Sequence, residues 1–329
     1  MAKVTEKMLK EDFKLFVCYV WSLLNLPQPT RVQLLIADFM CDDSKPDRII
    51  EAFRGVGKSY LCYAFVVWKL WKDPTLKFMV VSGASDRADA FSETCQQFIE
   101  LIPCLRHLKP VGRDITWTKV KWTVVGAGVS GSASVRSKGI NSAMTGGRAD
   151  YIIADDVETP QNAFTVDQRD KLKTQISEFE AIRKGNEGHG NVSQIIYLGT
   201  PQCEESLYNH LSDIGFQTRI WPARYPMMDK LEDYKGKLCP VLEDEMHNDK
   251  SIEWSATDPE RFTDSDLVSR EFKYGKAGFS LQFMMDTALS DVERYPLRTS
   301  DLLVFNPPDT KAPMQLSHGK TREATLQDL

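Results

Sequence analysis

Two short runs hold residue types that together handle phosphate. The first is Arg54-Gly-Val-Gly-Lys-Ser59. Gly55 and Gly57 let backbone N–H groups turn onto phosphate oxygens, and a helix starting at the lysine adds its dipole. Lys58 would bridge β- and γ-phosphates, and Ser59 would hold Mg²⁺. The pattern G-x-x-x-x-G-K-[ST] is met except at its first glycine, which is Ala52 here. The second run, Tyr151-Ile-Ile-Ala-Asp-Asp-Val-Glu158, is an apolar strand ending in carboxylates. Asp155 is placed to hold the water shell of the metal. Asp156 would orient or deprotonate an attacking water, with Glu158 as its rival. Either run alone is explained by a turn with surface charge. Together they specify binding and hydrolysis of a nucleoside triphosphate, with ATP and Mg²⁺ as the expected ligands.

A third run, Ile195-Ile-Tyr-Leu-Gly-Thr-Pro-Gln202, brings the Thr200 hydroxyl to the carboxyl end of another strand, where ligands of open α/β sheets sit. There it would sense the γ-phosphate or the attacking water. The other candidates are poor. His107, His189, His210, His247 and His318 have no metal-ligand spacing, and no nucleophile signature occurs.

These groups need strands to carry them and helices to follow. Helical spacing of apolar residues covers 6–25, and a second helix capped by Thr30 runs to about Met40. Strands are expected at Arg48–Phe53, Lys77–Ser82, Trp117–Val125, Tyr151–Ala154 and Gln194–Leu198. Helices are expected at Ser59–Trp71, Asp86–Leu101, Thr165–Ile182 and Glu205–Ser212. Strands alternating with helices give an α/β fold with a mostly parallel sheet flanked by helices. Residues 1–226 would form this core. Residues 227–298 would form a smaller, mainly helical subdomain, with seven acids and one lysine between Val241 and Glu260. The Pro-containing, polar stretch 299–329 reads as a linker.

The chain has 329 residues and a formal net charge of −5, which excludes a simple polycationic coat for nucleic acid. Between Leu101 and Arg148, however, eight basic residues meet one acid. Lys119, Lys121, Arg136 and Lys138 in this window suit contacts to a phosphate backbone, on a Gly/Ser-rich stretch (126–147) expected to be mobile. Seven scattered cysteines without a Cys-x-x-Cys pair point to reduced thiols. The longest apolar run, Tyr60–Trp68, is too short to span a bilayer.

Arg54-x-x-Gly-Lys-Ser59, Thr145-Gly-Gly-Arg-Ala-Asp150 running into Ile-Ile-Ala-Asp-Asp156, and Leu198-Gly-Thr-Pro-Gln202 together resemble the large terminase subunit of tailed phages, of the DNA maturase B type found in small podoviruses. Ile220-Trp-Pro-Ala223 and Tyr274-Gly-Lys-Ala-Gly-Phe279 extend the resemblance from about Phe13 to Pro296. It implies a P-loop NTPase of the additional-strand type that pumps double-stranded DNA into a procapsid. Such a motor works in the host cytoplasm as a homo-oligomeric ring, five-membered when docked on the portal, helped by a small terminase subunit. Arg54 would then face the γ-phosphate and Gln33 would read the adenine. Thr200 would couple hydrolysis to movement, and Arg148 or Arg136 would reach a neighbouring subunit as an arginine finger. Two departures stand out. Asp156 occupies a position that is often glutamate, and the chain ends where the family's nuclease would begin, so no DNA cleavage is expected of it.

Two rival readings keep the phosphate loop. A helicase-like ATPase would need a second RecA-like half, for which 227–329 lacks strands, and a nucleotide kinase would need an arginine-bearing lid. A non-catalytic nucleotide-binding adaptor on DNA would bind ATP without hydrolysing it.

Overall fold

A computed structural model describes residues 4–287, apart from 45, 113–114, 145–146 and 185–192. The expected linker at 299–329, residues 288–298, and Thr145-Gly146 lie outside the described residues. Seven strands form one sheet: β1 (Asp47–Ala52), β2 (Phe78–Ser82), β3 (Lys121–Trp122), β4 (Val135–Gly139), β5 (Tyr151–Asp155), β6 (Gln194–Gly199) and β7 (Gln217–Trp221). Their order is β3-β4-β2-β5-β6-β1-β7, parallel throughout except for the β3–β4 pair. The helices are α1 (Glu6–Glu11), α2 (Phe13–Leu23), α3 (Arg31–Met40), α4 (Lys58–Lys72), α5 (Ser85–Leu101), α6 (Pro160–Ala163), α7 (Val166–Ile182), α8 (Leu207–Asp213), α9 (Pro240–Asn248) and α10 (Asp264–Phe279).

Burial on both faces explains why the strands read as apolar runs. On one face α1–α5 pack over Ile50, Val80, Ile153 and Ile196. On the other, α7 and α8 cover Ile49, Val81, Ile152 and Ile195. Helix starts follow their caps. Thr30 and Thr165 each accept from the third helical amide, while Gln33 and Gln168 reach back to the cap amide.

Four departures from the sequence expectation have physical causes. The first helix is interrupted at Asp12, whose carboxylate caps α2 through the Leu15 amide at 3.1 Å. The strand expected at Trp117–Val125 shrinks to Lys121–Trp122, because Thr118 and Lys121 close a hairpin in which Trp117 packs on Trp122. The Gly/Ser-rich stretch is not loop throughout, since Val135–Gly139 is a parallel strand beside β2. Its inward residues are Val135, Ser137 and Gly139, so no hydrophobic alternation marks it. Ser137 instead donates to Asp89 at 2.6 Å, and Gly139 lies so close to Ser85 that a Cβ would sit 2.8 Å from the Ser85 amide nitrogen. Strand β7 was not expected, being an edge strand buried only at Ile220 and Trp221.

Residues 227–287 contribute Leu242, Met246, Leu267, Phe279 and Phe283 to the core that also holds α2–α4. They reach the loop after β1 directly. Arg54 N donates to Gln282 O at 2.9 Å, and Thr30 Oγ1 donates to Asp258 at 2.8 Å.

Candidate active site

The loop from Phe53 to Gly57 joins the carboxyl end of β1 to the first turn of α4. Gly55 (φ +92°) and Gly57 (φ +96°) adopt the left-handed region that favours glycine. Ala52 does not, because it is still the last residue of β1, which explains why a side chain is tolerated there. Side chains hold three carbonyls of this segment. Lys58 Nζ donates to Ala52 O, Arg261 Nε to Gly55 O at 2.8 Å, and Gln33 Nε2 to Val56 O at 2.7 Å. Of the loop amides, those of Phe53, Arg54 and Val56 donate to Trp221 O, Gln282 O and Phe53 O, so an anion would meet the amides of the two glycines and of the start of α4.

Opposite the loop, β5 ends in Asp155, whose carboxylate bonds the Ser59 side chain. Burial, reinforced by Asp156, pushes Asp155 up to about 7, against the pull of Lys58 and Arg87. Burial likewise lowers Lys58, while the Asp156 and Asp155 carboxylates oppose that shift. Asp156 turns the chain with φ 47°, a conformation that costs a non-glycine residue about 1 kcal/mol or more. It is held there by its own amide on Leu198 O (2.8 Å) and by Gly83 N on its carbonyl (3.2 Å).

Arg54, Gly55, Gly57, Lys58, Ser59, Asp156, Glu158 and Thr200 all line one cleft of about 710 Å³. The structure therefore brings together most of the residues singled out in the sequence. Glu158 is 3% exposed, and both its oxygens accept hydrogen bonds from the segment after β6. Gln33 sits beside the loop with its amide committed at both ends, to Val56 O and to the Thr30 amide. Arg148 is exposed and precedes β5, at the edge of the sheet opposite the loop. Arg136, near the start of β4, is also at that edge. Lys119 is exposed just before β3 and Lys121 is exposed at its first position, and Lys138 projects from the same face of β4 as Arg136.

Four polar groups near the loop carried no sequence signal. Arg87 at the start of α5, together with Arg261 and Gln282, lines the cleft. Glu51, one residue before the end of β1, is 2% exposed and has a carboxylate oxygen with no partner among the described residues. Burial raises it from 4.5 to about 7. The folded chain thus holds this proton more tightly than the unfolded chain, and stability falls as pH rises from about 4.5 through 7. Glu51→Gln is expected to raise unfolding free energy at pH 8 by about 2 kcal/mol, because it removes a buried charge, a gain limited by the partners the new amide still lacks. At pH 4.5 it should change little. Urea denaturation at the two pH values checks this, and an equal shift at both would remove the assigned cause.

No family model matches the chain. Among solved structures, the large terminase ATPase domain of Thermus phage P74-26 aligns with a TM-score of 0.47 and 12% identity, covering 88% of this chain and 100% of that one. The HK97 bacteriophage large terminase aligns with a TM-score of 0.48 and 14% identity, over 83% of this chain and 54% of that one. Both scores are low, and the fold assignment rests on the sheet and the loop themselves. A curated relative, the large terminase subunit of Enterobacteria phage T3, is 43% identical over 326 residues, 98% of this chain. The chain spans about half, 54%, of that protein's length, and over this span it is similar to that large terminase subunit.

Proposed function

We propose that this chain is the ATP-hydrolysing part of a motor that moves double-stranded DNA into a viral procapsid. The observation that carries the reading is the convergence of Lys58, Ser59 and Asp156 on one cleft at the carboxyl edge of a parallel sheet, with the buried Asp155 bonded to Ser59 behind it. The sequence relationship supplies the packaging context.

In this reading the loop amides and Lys58 bind the β- and γ-phosphates of ATP. Arg54, exposed at the cleft wall, adds charge at the γ-phosphate. Ser59 and Asp155 suit Mg²⁺ in donor chemistry and number, since Mg²⁺ at phosphates takes one or two protein oxygens and completes its shell with phosphate and water. When bound, the ion neutralises charge developing on the phosphates. Asp156 faces the same space and aligns the attacking water, and Thr200 borders it from β6. A basic residue of a neighbouring copy, Arg148 or Arg136, stabilises the transition state from outside the cleft. That role fits their position away from their own loop.

DNA would contact Lys119, Lys121, Arg136 and Lys138, and a ring of copies would dock on a portal with a small terminase subunit, in the host cytoplasm. Among the described residues no helix is long and apolar enough to cross a membrane.

The test is ATP turnover by the purified chain with and without linear duplex DNA, beside equilibrium ATP binding. Mg²⁺-dependent turnover that DNA stimulates is the expected result. Binding without turnover, even with DNA and procapsids present, would favour the adaptor reading. No binding would end the assignment.

A further inference from the structure

Glu158 lines the cleft, yet its carboxylate is bonded through both oxygens to the segment after β6. One oxygen accepts from Gln202 N at 2.7 Å. The other accepts from Ser206 Oγ at 3.0 Å and from Leu207 N at 2.5 Å. Its backbone amide meets the Tyr208 hydroxyl at 3.4 Å. All four partners lie in the segment that follows β6. Within that segment, Gln202 Nε2 donates to Thr200 O at 2.8 Å, so the same short stretch also fixes Thr200 at the cleft. Two residues upstream of Glu158, the Asp156 amide is bonded to Leu198 O in β6. The ends of β5 and β6 are thus tied twice, once by backbone and once by a buried carboxylate.

A group that takes a proton from water needs a free lone pair within hydrogen-bond reach of that proton. Glu158 gives about three of its four acceptor sites to fixed donors after β6 and is 3% exposed, so its carboxylate is oriented by that segment. We propose that Glu158 is a positioning residue, a strap that joins Asp156 to the Thr200–Leu207 segment so that the two sides of the cleft move together, and that the water is served by Asp156. This rests on the ATPase reading above. A displacement of Asp156 as the γ-phosphate leaves would be passed by the strap to Thr200 and on to α8, with no need for Glu158 to touch substrate.

The experiment compares Glu158→Gln, Glu158→Ala, Asp156→Asn and Thr200→Ala in the full chain. It reads single-turnover hydrolysis, KM for ATP, and hydrogen exchange at the Gln202 and Leu207 amides. Glutamine keeps one acceptor oxygen but turns an NH₂ toward backbone donors, so it loses part of the strap without leaving a hole. Glu158→Gln should slow turnover about tenfold with KM unchanged, against roughly 10²- to 10⁴-fold for Asp156→Asn. Glu158→Ala combined with Thr200→Ala should be no slower than the slower single variant, because the two act as one unit. Exchange at Gln202 and Leu207 should quicken in both Glu158 variants. A loss in Glu158→Gln equal to that of Asp156→Asn overturns the proposal, as does unchanged exchange at these amides. The exchange arm needs no ATP turnover. It therefore judges the strap even where the wild-type chain hydrolyses nothing, a result that would instead count against the ATPase reading.

Discussion

Lys58→Ala should lower ATP turnover at saturating nucleotide by about 10³-fold, roughly 4 kcal/mol in the barrier, while leaving the protein folded. The loss follows from where the ammonium sits. It lies at the start of α4, facing the Asp155 and Asp156 carboxylates and within reach of the Ala52 carbonyl. From there a single point charge would meet the two phosphates between which the bond of ATP breaks in the proposed reaction. No neighbour takes its place between the two phosphates, since Arg54 stands on the exposed wall of the cleft and Arg261 is bonded to the Gly55 carbonyl. The fold survives because burial already disfavours this charge, so its removal relieves a cost as well as losing contacts. Lys58→Arg should rescue little, because a planar fork does not fill the place of a compact ammonium. Steady-state turnover with a circular-dichroism melt checks both halves. Retained turnover would remove the loop from the active site.

Gly199→Ala carries the largest expected cost in stability. An added Cβ would lie 2.1 Å from Tyr208 Cζ and 2.5 Å from Cε2. The ring has no retreat: Tyr208 is fully buried, edge-on to Tyr197 at 6.4 Å, with its hydroxyl at the Glu158 amide. A loss of about 3 kcal/mol is expected, read as a lower urea midpoint at unchanged slope. Tyr208→Leu in the Gly199→Ala background should recover part of it. An unshifted midpoint would mean that the β6–α8 contact yields freely. This glycine is required by close approach, since its φ is not among the positive ones.

The comparison of sequence with structure separates along the range of the interactions. The loop after β1, the carboxylates closing β5 and the threonine cap of α3 were legible, because each is a local pattern with a local cause. Strand β4 was not, since serine and glycine hold its buried positions and a hydroxyl–carboxylate contact replaces apolar packing. Trp117–Val125 misled in the opposite sense. Its β-forming residues serve a hairpin whose Trp122 donates to Ser92 at 2.8 Å on α5, rather than a long ladder. At the site, Lys58, Ser59, Asp155 and Asp156 were readable by motif, whereas Arg261, Gln282 and the double commitment of Gln33 were not. Those three act on loop carbonyls and amides, which have no signature in side-chain type. The resemblance offered an adenine contact for Gln33, and its hydrogen bonds add a direct hold on the loop.

The anchors that shape the loop arrive late in the chain. Arg261 meets Gly55 across 206 residues, and Arg54 meets Gln282 across 228. During synthesis at about 5–20 residues per second, the loop therefore waits roughly 10–40 s for the side chains and carbonyl that complete it. Contacts of such separation carry a larger loop-closure cost in refolding as well. Affinity for nucleotide should appear in the final kinetic phase, after the β1–α4 segment has gained its secondary structure. A half-made chain would then leave the cell's ATP alone.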